Sequence, residues 1–500
     1  MLFFGGIIFG FNALIPVLQK ESIYSHLCQN ITAGSIGCNE QVTMYGYAFT
    51  TYMVVQMVLL FIVGFLVDHV GLRIVKLSAS ILFSIGAVLF GIANSANSWV
   101  IFPAGICVCV GGMAGLICNF SISKLFNKTS TLVLALITGS YDAASSVFAV
   151  FAVAYGAGYS YNLTFFLLAG VGLAMNLFSS LFVTTYRMSD MSVFRAAINS
   201  SAPEDKSVEV IMASVKERAL VKHRALFAFE IGGGRSEFRK MGDTEKADEE
   251  ASVETSLAHE GQISKMLHEF YPTVLTSLRS LPFILITCFF SFAMVRFTFF
   301  LTQFSILMED HFPGQPETVM HLSQTLSFAL AGGILAGVTC GSSIDFLRAR
   351  MHSRVAECLA LGAKSSVFWL RLCPHAAAMV VVTVAATCLS ALVFIASPMF
   401  YYVNFFFLVV MRGFLFSTIS AFIMTAFPIE QFGTLYGISG SLAGAFSCIQ
   451  YALLSPTVKV ANLISFFFVP LMGAVPSAVL VKAFTTWRQR SRIPSEERKL

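Results

Sequence analysis

Twelve apolar stretches punctuate this chain, with polar residues largely confined to the gaps between them. They run near 2–18, 42–66, 74–94, 100–120, 131–155 and 163–185, then 281–306, 319–344, 376–396, 402–427, 435–456 and 461–483. At a rise of about 1.5 Å per residue, a stretch of about 20 residues crosses the hydrocarbon of a bilayer as a helix. An open sheet edge would leave backbone groups unpaired there, so helices are the element predicted throughout. Residues 186–279 break the pattern with mixed charge, including Glu245–Glu250 and the triple glycine 232–234. This stretch reads as a largely disordered linker with short helical pieces around 206–228. The chain therefore divides into a six-helix bundle over 1–185, a linker over 186–279, a second bundle over 280–483 and a tail over 484–500. The predicted class is an all-α membrane protein with twelve transmembrane helices in two pseudo-symmetric six-helix bundles.

Composition narrows this further. Hydrophobic residues make up 56% and charged residues 12%, with 50 Phe against 3 Trp. That balance excludes an ordinary soluble domain. The net charge of +5 reflects topology and is no argument for nucleic acid. Of the 32 Lys and Arg, Lys20 and Lys459 lie in odd-numbered loops and Arg296 and Arg412 lie within spans. The other 28 crowd the even-numbered loops, their flanks and the tail, which the positive-inside rule assigns to the cytoplasm together with both termini. The first span is about 17 residues long and follows Met1 with no cytoplasmic flank. The expectation is a chain that starts downstream of its natural beginning, without a cleavable signal peptide.

Cysteine use agrees with that orientation. Among 11 Cys, only Cys28 and Cys38 fall on the outer side, ten residues apart in the first loop, where they can close a disulfide. Asn30-Ile-Thr32 between them is a glycosylation acceptor pattern. The remaining cysteines read as small packing residues with no metal-ligand spacing, and neither a metal nor any other cofactor is implied.

Two short motifs carry more information than composition does. Gly64-Phe-Leu-Val-Asp68-His-Val-Gly71-Leu-Arg73 sits in the gap after the second span. Gly341-Ser-Ser-Ile-Asp345-Phe-Leu-Arg-Ala-Arg350 occupies the matching gap in the second half, with the middle glycine replaced by Arg348. Glycine permits close helix approach, while Asp and Arg can latch helix ends on the watery side. The repeated motif resembles the loop between the second and third helices of the major facilitator superfamily, which implies two related bundles and gating by alternating access. Small residues also recur at four-residue spacing in Gly111/Gly115, Gly333/Gly337/Gly341 and Gly440/Gly444, read as helix-packing contacts.

Three formal charges fall inside spans: Asp142, Arg296 and Arg412. Each costs about 2.5–3.5 kcal/mol at mid-helix on insertion scales, so each needs a partner or a wet cavity. Thr138, Asp142 and Ser145 share a helical face, as do Arg296 and Gln303, and both faces are expected to look into a central cavity. On the functional reading, an Arg receives a carboxylate while Asp142 receives an ammonium group or balances an Arg. On the structural reading, an ion pair only holds the halves together. Which Arg pairs with Asp142 is open at this stage. Asn12 and Asn119 are weaker candidates. Lys, Glu and His are expected to be absent from span interiors, which favours facilitated diffusion or exchange over a proton relay.

Three stretches point to a particular branch. Phe9-Gly-Phe-Asn-Ala-Leu-Ile-Pro-Val-Leu18 before a two-Cys loop resembles the start of the system-L-type facilitators of large neutral amino acids. So do Lys124-Leu-Phe-Asn followed by Ala135–Tyr141, and Met411-Arg-Gly-Phe followed by Phe427–Gly437. The apicomplexan amino-acid transporter family is similar. The resemblance implies a sodium-independent amino-acid carrier working as a monomer in the plasma membrane. Asp142 departs from the neutral amino-acid members and points toward cationic substrates, while a nucleobase-carrying branch or a proton-coupled symporter is the alternative. A receptor conflicts with twelve spans, an enzyme lacks a catalytic constellation, and a channel would not show trans-stimulation.

Added to intact cells, a protease should leave residues 186–279 uncut, and a glycosidase should shift the mobility of wild type but not of Asn30→Gln. Cleavage of the linker from outside would reverse the assigned orientation.

Overall fold

The computed structural model describes residues 4–28, 38–125, 130–182, 261–453 and 457–490. Asn30, most of the central linker and the end of the tail lie outside the described residues. Eleven helical spans are long and apolar enough to cross a membrane, and a shorter apolar helix, α1 (Ile7–Lys20), precedes them. They are α2 (Glu40–His69), α3 (Leu72–Ile92), α4 (Ser98–Ser123), α5 (Ser130–Gly156), α6 (Tyr161–Leu181), α7 (Leu281–Met308), α8 (Glu317–Ala360), α9 (Lys364–Leu392), α10 (Pro398–Ala426), α11 (Ile429–Leu453) and α12 (Val458–Gln489). Every span read from the hydropathy pattern has its helix.

The two halves face each other through α5 against α8 and α2 against α11. Small residues make that approach possible. A Cβ added at Gly139 of α5 would lie 2.7 Å from the carbonyl oxygen of Gly333 in α8. In the other seam, a Cβ at Gly437 of α11 would lie 2.7 Å from the carbonyl oxygen of Leu60 in α2, and one at Gly64 would meet the Gly433 carbonyl. Of the small-residue runs, those in α8 and α11 pack these seams between halves, whereas Gly111 packs α4 on α3 within one half.

Helix α5 is interrupted at Ala144 and Ser145. The Ser145 amide donates to the Asp142 carbonyl three residues back (3.1 Å), and the Tyr141 carbonyl accepts instead from the Gly6 amide (3.0 Å). The freed backbone group is thus satisfied by another segment, as the low-dielectric interior requires. Gly10 of α1 presses on the Ser145 carbonyl at the same place. The break puts Asp142 in the last turn of a half-helix, Ser130–Ala143. A negative charge is unfavourable there, because the helix dipole already places partial negative charge at that end. A cation must offset it.

The first loop closes on the disulfide Cys28–Cys38, with Cα atoms 5.7 Å apart. Tyr45 and Gln41 of α2 bind the Ile23 carbonyl at 2.6 Å each, which fastens the start of this loop to the bundle.

Gly64→Val should prevent α2 from closing on α11. We expect transport to fall by at least about tenfold, equivalent to about 1.4 kcal/mol in the closing equilibrium. Uptake measured alongside surface biotinylation checks this, and normal kinetics in the Gly64→Val variant would remove the close-contact role.

Candidate substrate site

At the centre of the molecule, Arg412 of α10 donates through Nε to Asp142 Oδ1 at 2.7 Å. Both side chains are 1% exposed, so the pair joins the two halves in a sealed environment. The Arg412 guanidinium also lies over the Phe9 ring, 3.5 Å from its centroid, with Phe297 at 5.1 Å. Phe9 in turn contacts Tyr141 and Phe297, and Phe297 contacts Phe416. Phe9 of α1 and Phe297 of α7 thus lie against the guanidinium, with the rings of Tyr141 of α5 and Phe416 of α10 packed on them. Thr138 and Ser417 bond across the same seam at 2.6 Å.

The pair is incompletely satisfied. Arg412 Nη1 and Nη2, Asp142 Oδ2 and the hydroxyls of Tyr141, Ser145 and Tyr436 are buried without hydrogen-bond partners among the described residues. Buried polar groups are normally paired, so such a cluster has the character of a site whose partner arrives from outside. Donors on the arginine and an acceptor on the aspartate stand side by side, which suits a solute bearing both an anionic and a cationic or donor group.

The other residues singled out from the sequence are placed differently. Asn12 donates to the Leu301 carbonyl at 3.3 Å, a bond from α1 to α7 that ties the halves. Gln303 pairs with Asn462 of α12 at 2.7 Å, and Arg296 donates through Nε to Ser390 of α9 at 2.6 Å; both contacts stay within the second bundle. Arg296 and Gln303 are therefore turned away from the central pair despite lying on one helix with Phe297. Asn119 accepts from Lys76 Nζ at 2.8 Å. The expectation that Lys and His are absent from span interiors is corrected by Lys76 and His375, which are 2% and 0% exposed. Lys76 sits near the basic-loop end of its helix, whereas His375 lies about three turns inside α9, and polar bonds make their burial tolerable: Lys76 also donates to Ser179 at 2.7 Å, and His375 bonds Thr425 at 3.3 Å.

The duplicated motif lies at the basic-loop end. Asp68 accepts from the amides of Gly433 (3.1 Å) and Thr434 (2.6 Å) and from the Thr434 hydroxyl (2.7 Å). Asp345 accepts from the Leu132 amide at 3.0 Å and lies 3.5 Å from Arg348. Each carboxylate thus meets the first turn of a helix in the opposite half, where unpaired N–H groups and the dipole favour a negative charge. Gly71 adopts φ 111°, a backbone conformation that needs glycine, to turn α2 into α3. Helix α8 instead continues to Ala360, so no turn is needed at Arg348. Arg73 lies in the first turn of α3, and the Arg350 guanidinium covers Phe346 at 5.1 Å.

The aromatic cage around the pair was missed by sequence reasoning, because 50 phenylalanines offer no contrast by which a few could be singled out. The direction of the motif carboxylates was likewise invisible, since their partners lie more than 200 residues away.

This architecture is that of a membrane protein built from two helical bundles that meet along the α5–α8 and α2–α11 seams. Residues 1–451 match the Major Facilitator Superfamily, and the chain belongs to that family. It is similar to Equilibrative nucleobase transporter 1 of Bos taurus, at 22% identity over 90% of this chain and 86% of that protein. Protein FMP42 of Saccharomyces cerevisiae is 25% identical over 90% of this chain and 85% of its own length. Large neutral amino acids transporter small subunit 3 of Homo sapiens is 26% identical, over 34% of this chain and 33% of that protein. Among solved structures, the proton:xylose symporter XylE matches with a TM-score of 0.51 at 13% identity, covering 97% of this chain and 93% of that one, which shows the fold.

Arg412→Met and Asp142→Leu should each destabilise the purified protein by about 3–5 kcal/mol, because each leaves one buried charge unpaired. The double variant should be less destabilised than the sum of the two. Strictly additive losses in thermal unfolding would mean that the pair does not couple the halves.

Proposed function

We propose that this transporter carries α-amino acids by alternating access, through sodium-independent facilitated diffusion or exchange. The observation that carries the reading is the Arg412–Asp142 pair with its unpartnered atoms, Nη1 and Nη2 on one side and Oδ2 on the other. A substrate carboxylate matches the arginine donors and its ammonium matches the free aspartate oxygen, so a zwitterion satisfies both ends without adding net charge. Phe9, Phe297 and Phe416 offer apolar faces to the side chain. Motion of the halves would expose this site in turn to either side, with Asp68 and Asp345 gripping the opposite half when the basic-loop end is shut. We place the carrier at the plasma membrane as a monomer, with Asn30 glycosylated.

A second reading, a nucleobase carrier, is favoured by the clustered aromatic faces and by the similarity to the bovine nucleobase transporter over 90% of this chain. A planar base could lie on the rings and use its donor and acceptor edge against the same pair.

Uptake of labelled amino acids and nucleobases after expression in a low-background cell separates the two. Saturable, sodium-independent amino-acid uptake with trans-stimulation is expected, and Asp142→Asn should shift the preference among neutral and cationic substrates. Nucleobase uptake without amino-acid uptake would replace the first reading by the second.

A further inference from the structure

Arg296 is as buried as Arg412, at 1% exposure, yet among the described residues it lacks the carboxylate partner that Arg412 has. Its Nε donates to Ser390 Oγ at 2.6 Å, while Nη1 and Nη2 have no hydrogen-bond partner among the described residues. Among those residues no carboxylate pairs with it and no aromatic face covers it. The aspartate at the centre is already engaged by Arg412. A guanidinium does not shed its proton to escape burial. The charge therefore stands uncompensated inside the second bundle, an arrangement that protein interiors avoid.

We infer that Arg296 and Ser390 form an anion site, separate from the central pair, that takes one monovalent anion. The anion is either a halide ion from solution or the carboxylate of a solute. Ser390 gives its own proton to the Ala386 carbonyl (2.7 Å), so its oxygen accepts from Nε and fixes the plane of the guanidinium. That leaves the Nη1/Nη2 edge as a two-donor fork, the geometry that arginine uses for anions. Both residues belong to one bundle, on α7 and α9, so the site travels with that bundle and does not depend on how the halves stand. Anion binding there neutralises the Arg296 charge. The proposal stands on the orphaned guanidinium and not on the amino-acid reading of the central site.

The test uses the full-length protein purified in detergent, with thermal unfolding followed at fixed ionic strength in sodium chloride, sodium bromide or sodium isethionate. A halide source predicts a saturable rise in Tm in chloride and bromide over isethionate. The rise should be lost in Arg296→Met. A carboxylate source predicts no halide response, but stabilisation by sodium acetate over isethionate, again lost in Arg296→Met. Should Arg296→Met fail to fold, bromide anomalous diffraction from wild-type crystals replaces it, with a peak expected in hydrogen-bonding reach of the Arg296 fork when halide is the source. Responses equal in wild type and Arg296→Met, or no response to halide or carboxylate in wild type, would overturn the site. Uptake specificity in the cell panel is independent of these outcomes, so the two proposals fail separately.

Discussion

A single buried ion pair sets the terms for the rest of this molecule. Arg412 and Asp142 come from opposite halves and meet where water is excluded. Neither charge is tolerable there alone, so the pair can persist only while the halves are closed on each other. Several local features are arranged around that demand. Helix α5 breaks just after Asp142, Gly6 takes up the freed carbonyl, and Phe9 covers the guanidinium. Each is a small departure from a regular apolar helix, and all converge on that pair.

The seams above and below that pair are held by weaker forces. At the basic-loop end, two carboxylates cap helices across the interface, each contact of the kind worth about 0.5–2 kcal/mol. At the opposite end, Asn12 reaches the Leu301 carbonyl and Thr51 meets Tyr451. On the proposed reading, contacts of this size fasten a gate without locking it, and either end opens when substrate takes over part of the work of satisfying the central charges. The glycine-lined approaches of α5 to α8 and α2 to α11 supply close van der Waals contact, which drives helix association in lipid where burial of apolar area cannot.

The two copies of the motif show how a duplicated sequence diverges once its local geometry differs. Gly71 is retained where the backbone must take a positive φ to turn between helices. In the second half α8 runs straight through the corresponding position, and Arg348 there approaches Asp345. The aspartates are kept in both copies because both meet a helix N-terminus.

Spans, their number and the grouping into two bundles were legible in the sequence because crossing hydrocarbon imposes length and apolarity on each segment independently of its neighbours. The three formal charges stood out for the same reason, as costly exceptions within apolar runs. Orientation within a span was not legible. Phe297 points at the central pair while Arg296 beside it bonds away to Ser390, and no hydropathy contrast separates those two directions. Lys76 likewise lies within a helix that hydropathy places correctly, but its burial depends on Asn119 and Ser179 from two other helices. The choice of Arg412 over Arg296 as the partner of Asp142 depends on how α5 and α10 are brought together across 270 residues of chain. Membrane insertion is a property of each segment, and the sequence alone determined it. Pairing is a property of the packed halves, and only the tertiary structure decided it.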